Sequence, residues 1–235
     1  MDRYNDPSAQ WIGQTVVRHC AREGARIVAN HGFSPIDVPL TDPQLEHVLA
    51  LCRHCNYEEK HTHHVTSLAL VLFDQLASLH GYDATARQRL HAGALLHDIG
   101  WVEGKKGHHK TALRMILTSP ILEYDERERL IVGSIARYHR RALPNPAKHG
   151  HYASLDEVHS RLVDVTGGVL RVADALDRTH RSTVQGLCTQ VTDECIQVDC
   201  SVAREAEHER DAALNKGDLL EQALQRRLVV QCHQT

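Results

Sequence analysis

The stretch Ala94-Leu-Leu-His97-Asp98-Ile-Gly100 sets an imidazole and a carboxylate side by side, directly behind an apolar run that a glycine ends. An apolar run at helical spacing packs into a core, so it carries both polar groups to a helix end inside the protein. A buried charge needs a partner there, and a metal ion supplies one. Upstream, His61 stands four residues before Val65 and seven before Leu68, on the stripe continued by Leu72, Leu76 and Leu79, so its ring points inward. Downstream, Val172-Ala-Asp174-Ala-Leu-Asp177 places two carboxylates three residues apart on one face of an otherwise apolar helix. They too need a cationic partner.

The composition agrees with a helical core around such a site. Of 235 residues, 42% are hydrophobic and 24% charged, whereas Phe, Trp and Tyr reach only 4%, so Leu, Val, Ile and Ala must build the interior. Nineteen histidines stand in a chain of ordinary charge, an excess for which metal ligation is the first explanation to test. The net charge of −3 gives no global field for gripping duplex nucleic acid or an anionic membrane, and neither is expected as a partner. Seven cysteines sit mostly in apolar stretches, which fits a reducing compartment. With no apolar leader and no long apolar run, a cytoplasmic protein is expected. Cys52-Arg-His-Cys55 has CxxC spacing, but it lacks a second such pair and reads as helix packing.

The pattern predicts a mainly α protein of six or seven packed helices with a small C-terminal α/β module. Residues 1–41 are expected to hold an N-terminal helix, from Ser8 to about Asn30, and a proline-rich linker over Gly32 to Pro43. Residues 42–182 are expected to form the helical metal-binding domain. Its helices open at Asp42-Pro43, run from Glu58 to His80, from Ala84 behind Asp83 to about Ile99 with Gly100 as terminator, from His108 to Leu117, from Asp125 to Tyr138, and from Ser154 to His180. Residues 183–235 read as strand, helix, strand: Val184 to Val191 and Cys195 to Cys200 alternate, Val202 to Leu224 is a charged amphipathic helix, and Arg227 to Gln231 is a last strand.

The order His, His-Asp, Asp on separate helices resembles the HD superfamily of metal-dependent phosphohydrolases, with 36 residues from His61 to His97 and 76 from Asp98 to Asp174. The fold this implies is an HD-domain helical bundle. Further stretches resemble the HD region in the C-terminal part of exopolyphosphatase/guanosine pentaphosphatase proteins: Gly107-His108-His109-Lys110, Ile135-Ala-Arg-Tyr-His139-Arg-Arg-Ala-Leu-Pro144, and Arg171-Val-Ala-Asp-Ala-Leu-Asp-Arg-Thr-His180. The likeness covers about residues 42 to 232. Those enzymes carry their polyphosphate catalysis in preceding actin-like domains, so the chain is expected to be a free-standing version of that region.

The resemblance implies that His61, His97, Asp98 and Asp174 hold one divalent ion, with Asp98 able to bridge to a second. His108 or His109, together with His139, would serve the second ion, with Asp177 orienting a neighbour. The ions, one or two of Mn, Fe, Co, Ni, Zn or Mg, would activate a water for attack on phosphorus, with Asp98 and His97 as the catalytic pair. Lys105, Lys106, Lys110, Arg137, Arg140 and Arg141 cluster beside these histidines and are candidate contacts to a small phosphorylated substrate, a nucleotide or oligophosphate. Two other readings keep the same pocket: a regulatory, ligand-binding module without turnover, and a pair of irons that activates oxygen. The short strands of the closing module expose an edge that a homodimer would cover.

Overall fold

The computed structural model describes residues 26–32, 34–35, 45–140 and 142–234. The expected N-terminal helix up to residue 25, the helix start at Asp42-Pro43 and the phosphate candidate Arg141 lie outside the described residues. Within them the elements run β1 (Ile27–Asn30), β2 (Ser34–Pro35), α1 (Glu46–His54), α2 (Glu59–Gln75), α3 (Ala77–His80), α4 (Ala84–Leu95), a 3-10 turn (Ile99–Glu103), α5 (His108–Thr118), α6 (Glu126–Tyr138), α7 (Gly150–Ala153), α8 (Glu157–Leu176), β3 (Val184–Thr192), β4 (Cys195–Val202), α9 (Glu207–Lys216), α10 (Asp218–Leu224) and β5 (Arg227–Gln234). The protein is mainly α with one small sheet.

Helix α2 is the central pillar. Its stripe Val65, Leu68 and Leu72 is fully buried, and so are most residues of its other faces, because α4, α8 and β3 enclose it. Truncating any one of these leucines to alanine removes about 3 kcal/mol or more through lost transfer energy and the cavity left behind. Side-chain caps set three helix starts: Asp83 accepts from the Ala86 amide, Asp125 from Glu128 and Asp156 from His159. Two glycines serve contact rather than termination. Helix α4 stops at Leu95, short of the expected Ile99, and Gly100 lies inside the 3-10 turn, where a Cβ would sit 2.1 Å from the His108 carbonyl oxygen. Gly168 lies mid-helix in an uninterrupted α8, where a Cβ would sit 2.8 Å from the Leu220 backbone of α10.

The sheet has the order β1-β3-β4-β5, with β2 also pairing β3. Strands β3 and β4 form an antiparallel hairpin with Leu187 opposite Cys200 and Val191 opposite Ile196. Its turn is held by the Thr192 hydroxyl, which accepts from the amides of Glu194 and Cys195. β5 returns parallel to β4, Val198 opposite Val230, through a crossover made of α9 and α10. Gly217 divides these two helices, where the sequence suggests one. Residues 27–30 are a strand rather than the end of a helix: Ile27 to Asn30 pair with residues 190–192 of β3, and Ser34 and Pro35 of the expected linker pair with Leu187 and Gly186. Alternation over Ile27-Val-Ala-Asn30 is too short to outweigh the helical pattern before it, and the edge of β3 decides the outcome. The largest core cluster runs from α2, α6 and α8 through the inward residues of β3, β4 and β5 to α9 and α10. Among the described residues no helix is long and apolar enough to cross a membrane.

Candidate metal centre

Five helix ends converge on one spot. His61 comes from the first turn of α2, His97 and Asp98 from the turn after α4, His108 from the first residue of α5, His139 from the cap of α6 and Asp174 from the last turn of α8. Helix ends concentrate these groups because the chain can leave the core there without breaking its apolar stripes. Two groups form, His61, His97 and Asp174 on one side and Asp98, His108 and His139 on the other; within each, one donor atom per residue lies within 4.8 Å of the others. Asp98 faces both. Its Oδ2 lies 3.9 Å from His61 Nε2 and 3.5 Å from His97 Nε2, and its Oδ1 lies 3.1 Å from His108 Nε2 and 3.5 Å from His139 Nε2.

The ring orientation is fixed from behind. His97 Nδ1 donates to the Ala94 carbonyl at 2.7 Å, His108 Nδ1 to Lys105 at 2.9 Å and His139 Nδ1 to Ala136 at 2.6 Å. His61 Nδ1 donates to Asp177 Oδ2 at 2.9 Å. A carbonyl or carboxylate only accepts, so each Nδ1 carries a proton and each ring, when neutral, presents a bare Nε2 lone pair to the centre. His108 Nε2 and His139 Nε2 face each other at 3.3 Å. His61 Nε2, His97 Nε2 and Asp98 Oδ1 are buried without a hydrogen-bond partner. Lone pairs and carboxylate oxygens at these separations repel unless a cation lies among them. Nitrogen and oxygen donors of this kind suit a divalent transition metal.

Electrostatics points the same way. Burial opposes a charge on His61, yet Asp174, Asp177 and Asp98 outweigh it and push its pKa up to about 9, so a proton takes the cation's place when none is bound. Burial also works against ionised Asp98 and Asp174. His97 and His108 outweigh it for Asp98, and His61 and Lys216 for Asp174, holding both well below the usual carboxylate range. His139, wholly enclosed, is pushed down to about 3 by burial and by neighbouring His97, and offers a neutral ring.

Around the donors sit groups that the sequence marks and others that it hides. Asp177 is fully buried and grips His61 through one oxygen and the Ser182 amide through the other, at 2.7 Å, tying the ring to the turn after α8. In that turn His180 and Ser182 adopt positive φ, 56° and 49°, a cost of about 1 kcal/mol each that the Asp177 bond offsets. His180 stacks on His61 with ring centroids 3.7 Å apart and donates to Glu58. Lys216 of α9 reaches Asp174 Oδ2 at 2.6 Å. Nothing in its charged stretch distinguishes it from a solvated lysine; only the crossover delivers it.

The phosphate candidates separate. Lys105, Lys106 and Lys110 are exposed, Lys105 with its ammonium 4.8 Å above the Trp101 ring. Arg140 Nη1 lies 3.5 Å from His108 Nδ1. Arg137 is buried. His109, the alternative to His108, lies beside the donors, its ring 5.5 Å from His108 and 6.3 Å from His139, and belongs to neither group. Cys52 and Cys55 are free and buried, Cys52 against the Leu95 carbonyl.

Comparison with curated proteins returns no match. The family model of Ppx/GppA phosphatase, domain III, matches residues 45–223, a span that holds every donor of the two groups together with Asp177 and Lys216. The chain belongs to the Ppx/GppA phosphatase domain III family.

Proposed function

We propose that the chain is a metal-dependent phosphohydrolase of the HD type, acting on a phosphoester or phosphoanhydride of a small polyanion. The observation that carries this reading is the convergence of four imidazole Nε2 atoms on the two oxygens of Asp98, each ring held from its far side. His61, His97 and Asp174 would hold one divalent ion and His108 and His139 a second, with Asp98 shared. Divalent ions bound there would supply an activated water and neutralise charge on the phosphorus oxygens. The chain's own groups do the rest. Asp177 keeps His61 turned inward, Lys216 keeps Asp174 ionised, and the exposed Lys105, with Arg140 beside His108, draws the anionic substrate to the mouth of the site.

The test is metal analysis of the purified protein, then phosphate release from nucleotides and oligophosphates with Mn, Mg, Co, Ni or Fe added, with Asp98→Asn as control. Two equivalents of metal and release that Asp98→Asn lowers on the order of 10³-fold are expected. Bound metal without release from any substrate favours a ligand-binding module; protein that takes up no metal refutes the reading of the site.

A further inference from the structure

Next to the His108 and His139 half of the centre lies a buried guanidinium with no counter-charge. Arg137, in the last turn of α6, is 5% exposed, and its Nη1 is buried with no hydrogen-bond partner. No carboxylate among the described residues answers it; its one neighbour of note is the Tyr138 ring, 5.7 Å from Cζ. Elsewhere among the described residues enclosed guanidinium groups are answered. Arg171, as deeply buried, meets Asp218 at 3.1 Å, Arg89 pairs with Glu128, and Arg129 donates to the carbonyls of Tyr124, Ile116, Ser119 and Leu122.

Two imidazoles share the same condition. Helices α5 and α6 pack as a hairpin in which Leu113 meets Gly133, where a Cβ would lie 2.9 Å from Leu113 Cδ1. One turn further out on each helix, in opposite senses, His109 falls opposite Arg137. His109 is 5% exposed with Nδ1 buried and unpartnered, and His151, its ring 5.8 Å from Tyr138, has Nε2 buried and unpartnered. Arg137 and His151 both lie against the Tyr138 ring, 5.7 and 5.8 Å from its centroid, and burial and then the Arg137 charge push His151 down to about 4. Helix α5 also begins here, behind Gly107 and without a side-chain cap, so the positive end of its dipole faces the same region. A buried guanidinium with neither acceptor nor counter-ion is a large unfavourable term unless a ligand supplies both.

We propose that Arg137, His109 and His151 form an anion site that takes a phosphate group beside the metal centre. The guanidinium supplies charge and paired donors, and each ring turns an N–H to a phosphate oxygen as the tautomer that the anion selects. The phosphate is either free orthophosphate or part of a molecule that also reaches the metals. The inference deepens the phosphohydrolase reading, yet its test is independent: failed hydrolysis leaves phosphate binding untouched, and failed phosphate binding leaves metal-dependent release untouched.

The experiment is calorimetric and thermal titration of the full chain, metal-free and metal-loaded, with orthophosphate and with pyrophosphate. Metal-free wild type is expected to bind orthophosphate and to gain thermal stability from it. Arg137→Met is expected to weaken binding at least about tenfold while leaving the phosphate-free Tm unchanged or raised, because an unanswered buried charge is removed. His151→Asn weakens binding with the fold intact. Equal affinity of both probes for metal-free and metal-loaded protein marks a site for the free anion; tighter pyrophosphate binding on metal loading marks one molecule spanning both. No orthophosphate binding by metal-free protein, unchanged affinity in Arg137→Met, or a phosphate-free Tm that falls in that variant each overturns the proposal.

Discussion

Two histidine-rich regions touch in this molecule, and the same side chain meets opposite conditions in them. In the candidate metal centre every ring is held at Nδ1 by a carbonyl or carboxylate, and carboxylates face Nε2; His61 is pushed up to about 9. In the neighbouring cluster the rings of His109 and His151 lack such holds and are pushed down to about 4 by burial and then by the Arg137 charge. The first region is short of a cation and the second of an anion. A ring becomes a donor to metal because of what stands behind it, not because it is histidine.

Changes that move one side of this contrast should show it in graded form. The largest effect is expected from Gly100→Ala. The new Cβ has no room against the His108 carbonyl and the Ala112 amide, so the start of α5 must shift and carry His108 away from Asp98. Metal analysis should find one of two equivalents lost and phosphate release down about 10²-fold or more; two retained equivalents would show that α5 tolerates the shift. Next comes Asp177→Asn, which keeps the shape but weakens the hold on His61 Nδ1. Metal affinity is expected to fall about 10- to 100-fold, measured by competition with a chelator.

Lys216→Met tests the opposite dependence. It strips Asp174 of its cation, so the metal-free protein should lose about 2 kcal/mol, and added divalent ion should recover much of that loss. Urea unfolding with and without metal measures both. The smallest effect is in pH. His61 sits above the ordinary 6.5, so its contribution to the metal-free fold is full below pH 6.5 and is lost as pH rises through about 9. His109 and His151 sit below it, so theirs is present above pH 6.5 and is lost as pH falls towards 4. The metal-free protein should therefore be most stable near pH 6.5 and lose up to about 1.4 kcal/mol per unit and per fully buried ring on either side. Orthophosphate should alter only the acid limb.

Much of the centre was legible because helical spacing carries polar groups into a core in a recognisable way. His61 continues a leucine stripe, His97 and Asp98 follow an apolar run, and Asp174 sits on a buried face, so each announces its burial within a few residues. Lys216 and His180 announce nothing. Their roles depend on a crossover 42 residues beyond Asp174 and on a turn with positive φ, neither of which leaves a local period. The β1 strand failed for the same reason: its hydrogen bonds belong to β3, more than 150 residues away. Gly100 was misread because a glycine that ends a helix and a glycine that admits another helix look alike in one dimension.

The crossover that delivers Lys216 also sets a kinetic order. Parallel pairing of β4 with β5 needs the crossover of α9 and α10 between them, so it belongs to the late part of folding. Until it closes, Asp174 has His61 but no lysine, and α9 does not yet cover the end of α8. Refolding followed by tryptophan fluorescence with metal present should therefore show two events, helix assembly first and a slower step in which the sheet closes and the centre takes its final charge. In this protein the maturation of a site made of helix ends is timed by a strand.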